Sequence, residues 1–365
     1  MEKRKDKESV DLGQLRKRID DLDRQIVALL SERAGVVVDV GKAKMVDGTP
    51  VYAPDREQEV LQRIASLNTG PLLQKTLRSI YRELMSGSFA LEKPLRVGYL
   101  GPEGSFSHLA ATRKFGASVE YYPLADIKAV FGEVSKDHCD VGIVPIENSI
   151  GGGILESMDA FIEANVSICA EVLLDIHHNL LAKCAREEIN AIASKPEVFA
   201  QCRNWLSSTF SEAQLVPVAS TARGAERAAD EQGMAAIGSA LAAELYGLRI
   251  VSANIEDTIN NVTRFFVISS ASAKRTGEDK TSLMFTTAHK AGALAAVINV
   301  FADHGINLTN IDTRPSKRRN WEYYFFVDAE GHYEDDKLAQ AIEEAKRHCG
   351  DLYVLGSFPK ATETV

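Results

Sequence analysis

Residues 260–268, NNVTRFFVI, pass from a polar loop into a short apolar run. The run is rich in aromatic and β-branched residues, a composition that favours a buried strand. Asn261, Thr263 and Arg264 therefore stand at the mouth of a predicted strand, where open α/β sheets bind ligands. Taken alone, the stretch fits an ordinary loop and strand more simply, so the rest of the chain must decide whether it belongs to a binding site.

Composition limits the class of protein. A chain of 365 residues suits two or three domains, and 45% hydrophobic with 25% charged residues is typical of a soluble globular protein. The net charge of -9 argues against nucleic-acid binding, and no apolar run is long enough to cross a membrane. Five cysteines without a CxxC pair and the charged start MEKRKDKESV favour a reducing cytoplasm and no secretory signal.

A long amphipathic helix is predicted first. Apolar residues of 12–40 recur at spacings of three and four, which predicts a helix over 11–45. Such a length calls for a partner helix along its side. Residues 48–50 break it, a second helix is expected over 54–70, and Pro71 suits the first turn of a third helix that reaches about Leu91.

One cation interrupts the apolar face of the first helix. Arg33 and Lys44 are eleven residues apart and point within about 20° of one another. Together they suit a small dianion, although Arg33 alone could equally reach solvent or pair with a carboxylate. Arg16 lies about 100° away around the helix and cannot easily serve the same pocket.

The motifs LRKRID, LLSER, VGKAK and PDRE, which begin at positions 15, 29, 40 and 54, resemble the all-helical chorismate mutase family over residues 10–92. The resemblance implies an intertwined dimer, in which Arg16 of the partner subunit and Arg33 hold the carboxylates of chorismate. Lys44 would then bind the ether oxygen and Glu57 the ring hydroxyl. The implied site consists of Arg16, Arg33, Lys44, Arg56, Glu57, Ser88 and Glu92.

The chemistry of that family explains these residue types. A Claisen rearrangement needs no acid, base or cofactor, only a held conformation and positive charge near the ether oxygen. Ala53 and Glu92 stand where some members have Asp and Gln. A glutamate donates a hydrogen bond only when it is protonated, so mutase activity should rise toward acid pH. Because Ala53 stands in place of that Asp, an inactive mutase region is an alternative interpretation.

Residues 95–271 alternate short strands and helices, which predicts a doubly wound α/β architecture with ligand groups at the carboxyl ends of strands. GPEGSFS (101–107) follows a strand but is neither a GxGxxG motif nor a P-loop, and VPIENSIGGG (144–153) begins in the next strand and ends in polar residues and glycines. His177 and His178 lack a carboxylate at ligand spacing and are more simply structural, so no metal is expected. Cys202 has no visible activating base.

These two motifs, Gln201-Cys202, Ser220-Thr221-Ala222 and TRFF (263–266) occur in the order of the prephenate dehydratase family. The resemblance implies a two-lobed fold similar to periplasmic solute-binding proteins, with prephenate in the cleft. Thr263 would donate to the departing hydroxyl, and Arg264 would anchor a carboxylate or the local loop. The implied site consists of Ser105, Ser107, Asn148, Ser194, Gln201, Thr263 and Arg264.

After a polar linker at 274–280, residues 281–358 show a βαββαβ order, which is ferredoxin-like. Its strands are expected at 282–287, 306–314, 321–329 and 352–358. The region resembles the ACT regulatory domain, which binds amino acids between subunits; a purely structural dimerisation module is the alternative. The residues that match its phenylalanine motifs are Gly292, Ala293, Leu294, Asp312, Thr313, Arg314 and Pro315.

The three resemblances together imply a multidomain, bifunctional chorismate mutase–prephenate dehydratase without cofactors. It would act on chorismate and prephenate as a homodimer or larger homo-oligomer, with phenylalanine as allosteric inhibitor. Phenylalanine binding could reach Thr263 through the short linker. The alternatives are an amino-acid sensor without turnover, which leaves Arg33, Lys44 and Glu57 without a role, and a dehydratase with an inactive mutase domain.

Overall fold

The computed structural model describes residues 11–316 and 322–365. The charged start of the chain, the first residue of the expected mutase region and Trp321, the expected first residue of a strand, lie outside the described residues. Along the chain, three helices are followed by two mixed sheets with flanking helices and then by a four-stranded sheet with two helices. Within the described ranges, no helix has the length and apolarity needed to cross a bilayer.

The helical region consists of α1 (Leu12–Asp47), α2 (Pro54–Leu67) and α3 (Gln74–Glu92). Asp11 caps α1 by accepting from the Gly13 N–H, and Gly48 ends it with a φ of 66°, so the predicted limits are confirmed. The prediction for Pro71 is wrong, because α3 begins at Gln74. The Asn68 side chain bonds the backbone of Gly70 and Leu72, which holds Pro71 in a turn before the helix.

The apolar face of α1 lies open in the single chain. Leu15, Ile19 and Ile26 are 48%, 56% and 52% exposed, and Leu22 and Leu29 belong to the same face. In its C-terminal half α1 packs against α3, so closely that a Cβ on Gly41 would lie 3.0 Å from the Cα of Glu92. The exposed face therefore has no partner among residues 11–316 and 322–365.

The central region forms two lobes. Lobe one contains β1 (Arg96–Leu100), α4 (Phe106–Phe115), β2 (Glu120–Leu124), α5 (Ile127–Ser135), β3 (Val141–Asn148), β4 (Gly152–Gly153), α6 (Leu155–Glu163), β5 (Ser167–Asp175) and β11 (Val262–Ser269). Lobe two contains β6 (Asn179–Ala182), β7 (Ala191–Ser194), α7 (Pro196–Gln201), α8 (Arg203–Thr209), β8 (Gln214–Pro217), α9 (Thr221–Asp230), β9 (Met234–Gly238), α10 (Ala240–Leu245) and β10 (Arg249–Ser252). The chain crosses between the lobes twice, at residues 176–178 and 253–261.

Strand direction corrects one expectation about the site. The sheet of lobe one has the order β2-β1-β3-β11-β5, and that of lobe two β10-β6-β9-β7-β8. Strands β1, β2 and β3 are parallel, but β11 runs antiparallel to both β3 and β5. Thr263 thus lies at the amino end of its strand, not at a carboxyl end. Because of the reversal it is paired with Asn148, the last residue of β3.

The C-terminal region consists of β12 (Asp279–Thr286), α11 (Ala293–Asp303), β13 (Leu308–Pro315), β14 (Tyr323–Glu330), α12 (Asp336–Ala345) and β15 (Leu352–Pro359). Its sheet order, β13-β14-β12-β15, confirms the ferredoxin-like prediction. The linker is shorter than predicted, because Asp279 accepts from Thr276 and Gly277 and already belongs to β12.

One face of this C-terminal sheet continues the core of lobe one. Met284, Phe326 and Phe358 are buried in the same cluster as Phe161 and Phe266. The sheet packs along β5 through β15, where Gly356 has a φ of 152° and a Cβ would lie 2.2 Å from the Ile168 carbonyl oxygen. Only glycine permits so close an approach of two backbones.

Candidate functional site

A cavity of about 990 Å³ lies between the two lobes. The side chains that line it from lobe one and the returning crossover are Ser105, Ser107, Asn148, Asn261, Thr263 and Phe265. From lobe two and the outgoing crossover they are His178, Lys195, Gln201, Ser220, Thr221 and Arg223. The stretch 260–268 therefore forms part of a cleft, and most residues implied by the dehydratase resemblance meet there.

Thr263 is oriented by Asn148. The Asn148 Nδ2 donates to Thr263 Oγ1 at 2.9 Å, while its Oδ1 accepts from the backbone N–H groups of Ile150 and Gly151. These two backbone donors fix the orientation of the amide, because a flipped amide would point its own N–H groups at theirs. Thr263 accepts in this bond, so its own proton remains available to the cleft.

Two capped helix N-termini face the cleft from opposite lobes. Ser105 caps α4 by accepting from the His108 N–H, and Ser220 caps α9 by accepting from the Arg223 N–H. Helix N-termini attract anions through unpaired N–H groups and the helix dipole. The Ser105 hydroxyl also donates to the Leu100 carbonyl, so Ser105 shapes the turn while Ser107 lies beside it in the lining.

Two residues implied for the cleft lie elsewhere. Ser194 is fully buried between strands and donates to the Ile237 carbonyl, away from the cavity. Arg264 points to the opposite face of β11 from Thr263, because neighbouring strand residues alternate. It bonds Glu171 at 2.8 Å and Asp328 at 2.5 Å, both carboxylates of the protein itself. Arg264 thus anchors the C-terminal region rather than a bound carboxylate.

The cleft offers no nucleophilic thiol. Burial raises the pKa of the Cys202 thiol to about 12, which keeps it protonated and inert. His178 is bonded to Gln201, and His177 to Glu256 at 2.8 Å. Among residues 11–316 and 322–365, no group of three or more His, Cys, Asp and Glu side chains is placed to hold a metal ion.

A second set of polar side chains lies between α1 and α3. Arg33 donates to Ser88 at 3.0 Å, and Lys44 donates to Glu92 at 2.8 Å. Lys44 and Glu92 line a cavity of about 350 Å³ at the junction of the helical region with lobe one. Four residues implied by the mutase resemblance are thereby paired across two helices.

The remaining mutase candidates are placed differently. Glu57 accepts from Tyr52 at 3.1 Å and pairs with Lys114 of α4 at 2.9 Å, outside the cavity beside Lys44. Burial and the nearby Glu57 raise the pKa of the Tyr52 hydroxyl well above its usual range. Arg56 is exposed and pairs with Glu59, and Arg16 is exposed on α1.

The phenylalanine motifs of the C-terminal region lie at two positions. Gly292 is the N-cap of α11, followed by the buried Ala293 and the half-buried Leu294. In β13, Thr313 and Pro315 are exposed, whereas Arg314 makes two bonds of 2.6 Å to Asp159 of α6. Asp312 lies against Gly153, where a Cβ would be 3.1 Å from its carboxylate. This motif therefore contacts the loop that borders the cleft.

The site residues implied by the resemblance leave out His178, Asn261 and Arg223, all of which line the cleft. Asn261 had a usable signal, because it lies two residues before Thr263 in the same polar cluster. For His178 and Arg223 the sequence offered none, since both enter the cleft through the arrangement of the lobes.

Comparison with known proteins defines the family to which this chain belongs. Family models match "Chorismate mutase type II" at residues 15–93, "Prephenate dehydratase" at 97–273 and "ACT domain" at 281–347. The Aquifex aeolicus protein named bifunctional chorismate mutase/prephenate dehydratase is 41% identical over 96% of this chain and 98% of its own. The chain belongs to the bifunctional chorismate mutase/prephenate dehydratase family.

Solved structures agree with the central and C-terminal fold. The prephenate dehydratase from Arthrobacter aurescens, solved in complex with L-Phe, aligns with a TM-score of 0.69 and 31% identity, over 74% of this chain and 92% of its own. A structure described as GqqA, a novel type of quorum quenching acylase, aligns with a TM-score of 0.67 and 26% identity, over 73% and 98%. The same fold thus accompanies two stated activities, so function must be argued from the site.

Proposed function

We propose that this protein catalyses both reactions in its family's name. Chorismate rearranges to prephenate, as one carbon–oxygen bond breaks and one carbon–carbon bond forms. Prephenate then loses its ring carboxylate as CO2 and its ring hydroxyl as water, which gives phenylpyruvate. The working boundaries are residues 10–92 for the mutase, 95–271 for the dehydratase and 281–358 for the ACT domain.

The dehydratase assignment rests chiefly on the Thr263–Asn148 bond. The electron pair of the breaking carbon–carboxylate bond moves into the ring and expels the hydroxyl, which leaves poorly unless it receives a proton or a strong hydrogen bond. Thr263 accepts from Asn148, so its proton can point at the departing oxygen. The capped N-termini of α4 and α9 suit the two carboxylates of prephenate.

The mutase role rests on the cations between α1 and α3. Lys44 supplies positive charge to the ether oxygen, and Arg33 binds one carboxylate of chorismate. Arg16 of the partner subunit binds the other carboxylate, since it is exposed and lies about 100° around the helix from Arg33. The protein is therefore a homodimer or larger homo-oligomer through the exposed face of α1. Glu57 reaches the ring hydroxyl by leaving Lys114.

We also propose that phenylalanine inhibits the enzyme through the ACT domain and that the protein is cytoplasmic. Its five cysteines are all free thiols, which suits a reducing compartment. The A. aurescens dehydratase, solved with L-Phe, supports the choice of amino acid.

The test follows both products from chorismate. Wild-type protein should consume chorismate and form phenylpyruvate, and a Thr263→Val variant should stop at prephenate, with dehydratase kcat lowered by about 10²–10⁴-fold for loss of the proton donor. Its mutase rate should be unchanged, which serves as the internal control for folding. Phenylpyruvate formation by Thr263→Val at the wild-type rate would refute the role of Thr263. Absence of chorismate turnover by the wild type would favour the sensor interpretation.

A further inference from the structure

His178 occupies the crossover from lobe one to lobe two and is 2% exposed. Its backbone N–H donates to Glu256 of the returning crossover, and its ring meets Phe106 edge-on at 5.5 Å between centroids. Its Nε2 lies 2.7 Å from Gln201 Oε1. The ring thus connects the hinge between the lobes to a side chain of the cleft, and the catalytic scheme above gives it no role.

The direction of every hydrogen bond in this part of the cleft follows from one fixed point. Asn148 Oδ1 accepts from the backbone N–H groups of Ile150 and Gly151 at 3.1 and 2.9 Å. Its Nδ2 must then face Asn261, whose Oδ1 accepts at 2.7 Å. Asn261 in turn presents its Nδ2 to Gln201 Oε1 at 3.4 Å. Each amide orientation is set by its neighbour, because two donors cannot face one another.

This chain determines which atom of Gln201 faces the substrate. The Gln201 oxygen is held by Asn261 on one side and by His178 on the other, so the His178 Nε2 must be the donor. The Gln201 Nε2 has no protein partner among the described residues, and Gln201 lines the cleft. The amide therefore offers its N–H groups to a ligand oxygen, on the side opposite to His178.

The surroundings of His178 support a neutral ring with its proton on Nε2. Its Nδ1 is buried and finds no hydrogen-bond partner in the described part of the chain. Burial lowers the pKa of the imidazole, and His177 lowers it further, whereas the bond to Gln201 and the carboxylate of Glu256 oppose that shift. An Nδ1–H would be a buried donor without an acceptor, which is costly.

We propose that His178 is a positioning residue of the dehydratase site, which holds Gln201 so that its N–H groups bind an oxygen of prephenate. This inference rests on the proposed dehydratase function. Without the His178 donor, the side-chain amide can turn about its broad terminal torsion and present its oxygen to the anionic substrate. The N–H contact is then replaced by repulsion.

The test uses the full-length enzyme, with mutase activity as the internal measure of folding. His178→Gln keeps an N–H group near the position of Nε2, whereas His178→Leu removes it. The Leu variant should lower dehydratase kcat/KM by about 10- to 100-fold, the range for one hydrogen bond to a charged group, mainly through KM. The Gln variant should stay within about threefold of wild type, since its donor preserves that bond. His177→Gln, at the exposed neighbour, should change little.

A double-mutant comparison separates positioning from general structural support. If His178 acts through Gln201, adding His178→Leu to Gln201→Leu should lower kcat/KM no further. The proposal would be overturned if the two variants lowered kcat/KM additively or if His178→Leu left it unchanged. It would also be overturned if His178→Gln were as impaired as His178→Leu. If His178→Leu also loses mutase activity, His178→Asn, whose amide is too short to reach Gln201, replaces it in the same comparison. A wild type that forms no phenylpyruvate would instead refute the proposed function.

Discussion

Arg264 shows how one residue can serve a different domain from its neighbour. Thr263 faces the cleft, whereas Arg264 turns to the other side of β11 and pairs with Glu171 and with Asp328 of the C-terminal sheet. Its guanidinium also lies 4.6 Å from the centroid of the Phe266 ring. Burial alone would lower the pKa of Arg264, but the carboxylates of Asp328 and Glu171 raise it above its usual value. It therefore remains a cation in the domain interface.

We predict that Arg264→Met destabilises the protein by about 3–5 kcal/mol, because it leaves the buried Asp328 without a cation and Glu171 with Lys280 alone. Urea-induced unfolding of the full-length protein at neutral pH measures the loss. The matched control is Arg227→Met, which breaks an exposed pair with Glu231 of the same helical turn. That change should cost less than about 1 kcal/mol. Equal losses in the two variants would contradict the role given to the buried network.

A second prediction concerns Glu92, whose carboxylate accepts from Lys44. A carboxyl group can donate to the ether oxygen of chorismate only when it is protonated, so mutase activity should rise as the pH falls. Glu92→Gln supplies an N–H donor at every pH and should give a nearly flat mutase profile between about pH 5 and 8. The dehydratase profile of the same variant is the control. An acid rise that survives in Glu92→Gln would show that another group controls the mutase.

At the scale of the elements, α1 is left incomplete by the part of a single chain that the structure describes. It extends for 36 residues and contacts α3 in its C-terminal half, while the apolar residues from Leu12 to Val40 stay exposed. Isolated exposed apolar residues are ordinary, but a continuous row of them along a helix marks an interaction surface. The same face carries Arg33, so the surface and the proposed mutase site are parts of one element.

Charge placed on this face should separate the two activities. Leu22→Glu should weaken the proposed dimer and lower mutase activity by more than about tenfold at concentrations where the subunits dissociate. Dehydratase activity should persist, because its cleft lies within one chain. Sedimentation and both assays at several protein concentrations measure the effect. Val46→Glu, at the exposed end of α1 and outside the face, is the control. A stable dimer with lost mutase activity would contradict the assignment.

In the whole molecule, contacts other than the linker join the regulatory region to the catalytic ones. Arg314 of β13 bonds Asp159 of α6, and the aromatic core continues from lobe one into the C-terminal sheet. The C-terminal tail reaches back as well, since Glu363 pairs with Arg78 of α3 and the Val365 N–H donates to Leu173 of β5. A fragment of residues 95–275, which lacks the C-terminal sheet, would expose this core. The coupling between phenylalanine binding and dehydratase activity is therefore better tested in the intact chain.

We predict that Asp159→Ala weakens inhibition by phenylalanine about 5- to 150-fold, the usual range of allosteric coupling. The bond to Arg314 joins a phenylalanine motif to the helix that follows the cleft loop, so its loss should leave uninhibited dehydratase activity near the wild-type level. Phenylalanine titrations of prephenate turnover measure the change. Glu163→Ala removes an exposed pair with Lys128 from the same helix and should keep full inhibition. Unaltered inhibition in Asp159→Ala would exclude this route.

The sequence by itself determined the order and type of the elements and the three-part organisation. Periodicities of two and 3.6 residues, together with caps and breakers, are local properties, so the limits of α1 at Asp11 and Gly48 could be read directly. The motifs also assigned Asn148, Gln201 and Thr263 to one cleft through their resemblance to a known family, and all three line that cleft.

Only the tertiary structure decided which way the side chains point and what they meet. Ser194 and Arg264 turned away from the cleft, because the face of a strand residue depends on where the sheet is covered. Glu57 met Lys114 and His178 met Gln201 through contacts between separate elements. The sense of each hydrogen bond likewise depends on a partner elsewhere in the fold. Local sequence fixes the backbone pattern, whereas such pairings exist only once distant segments have packed together.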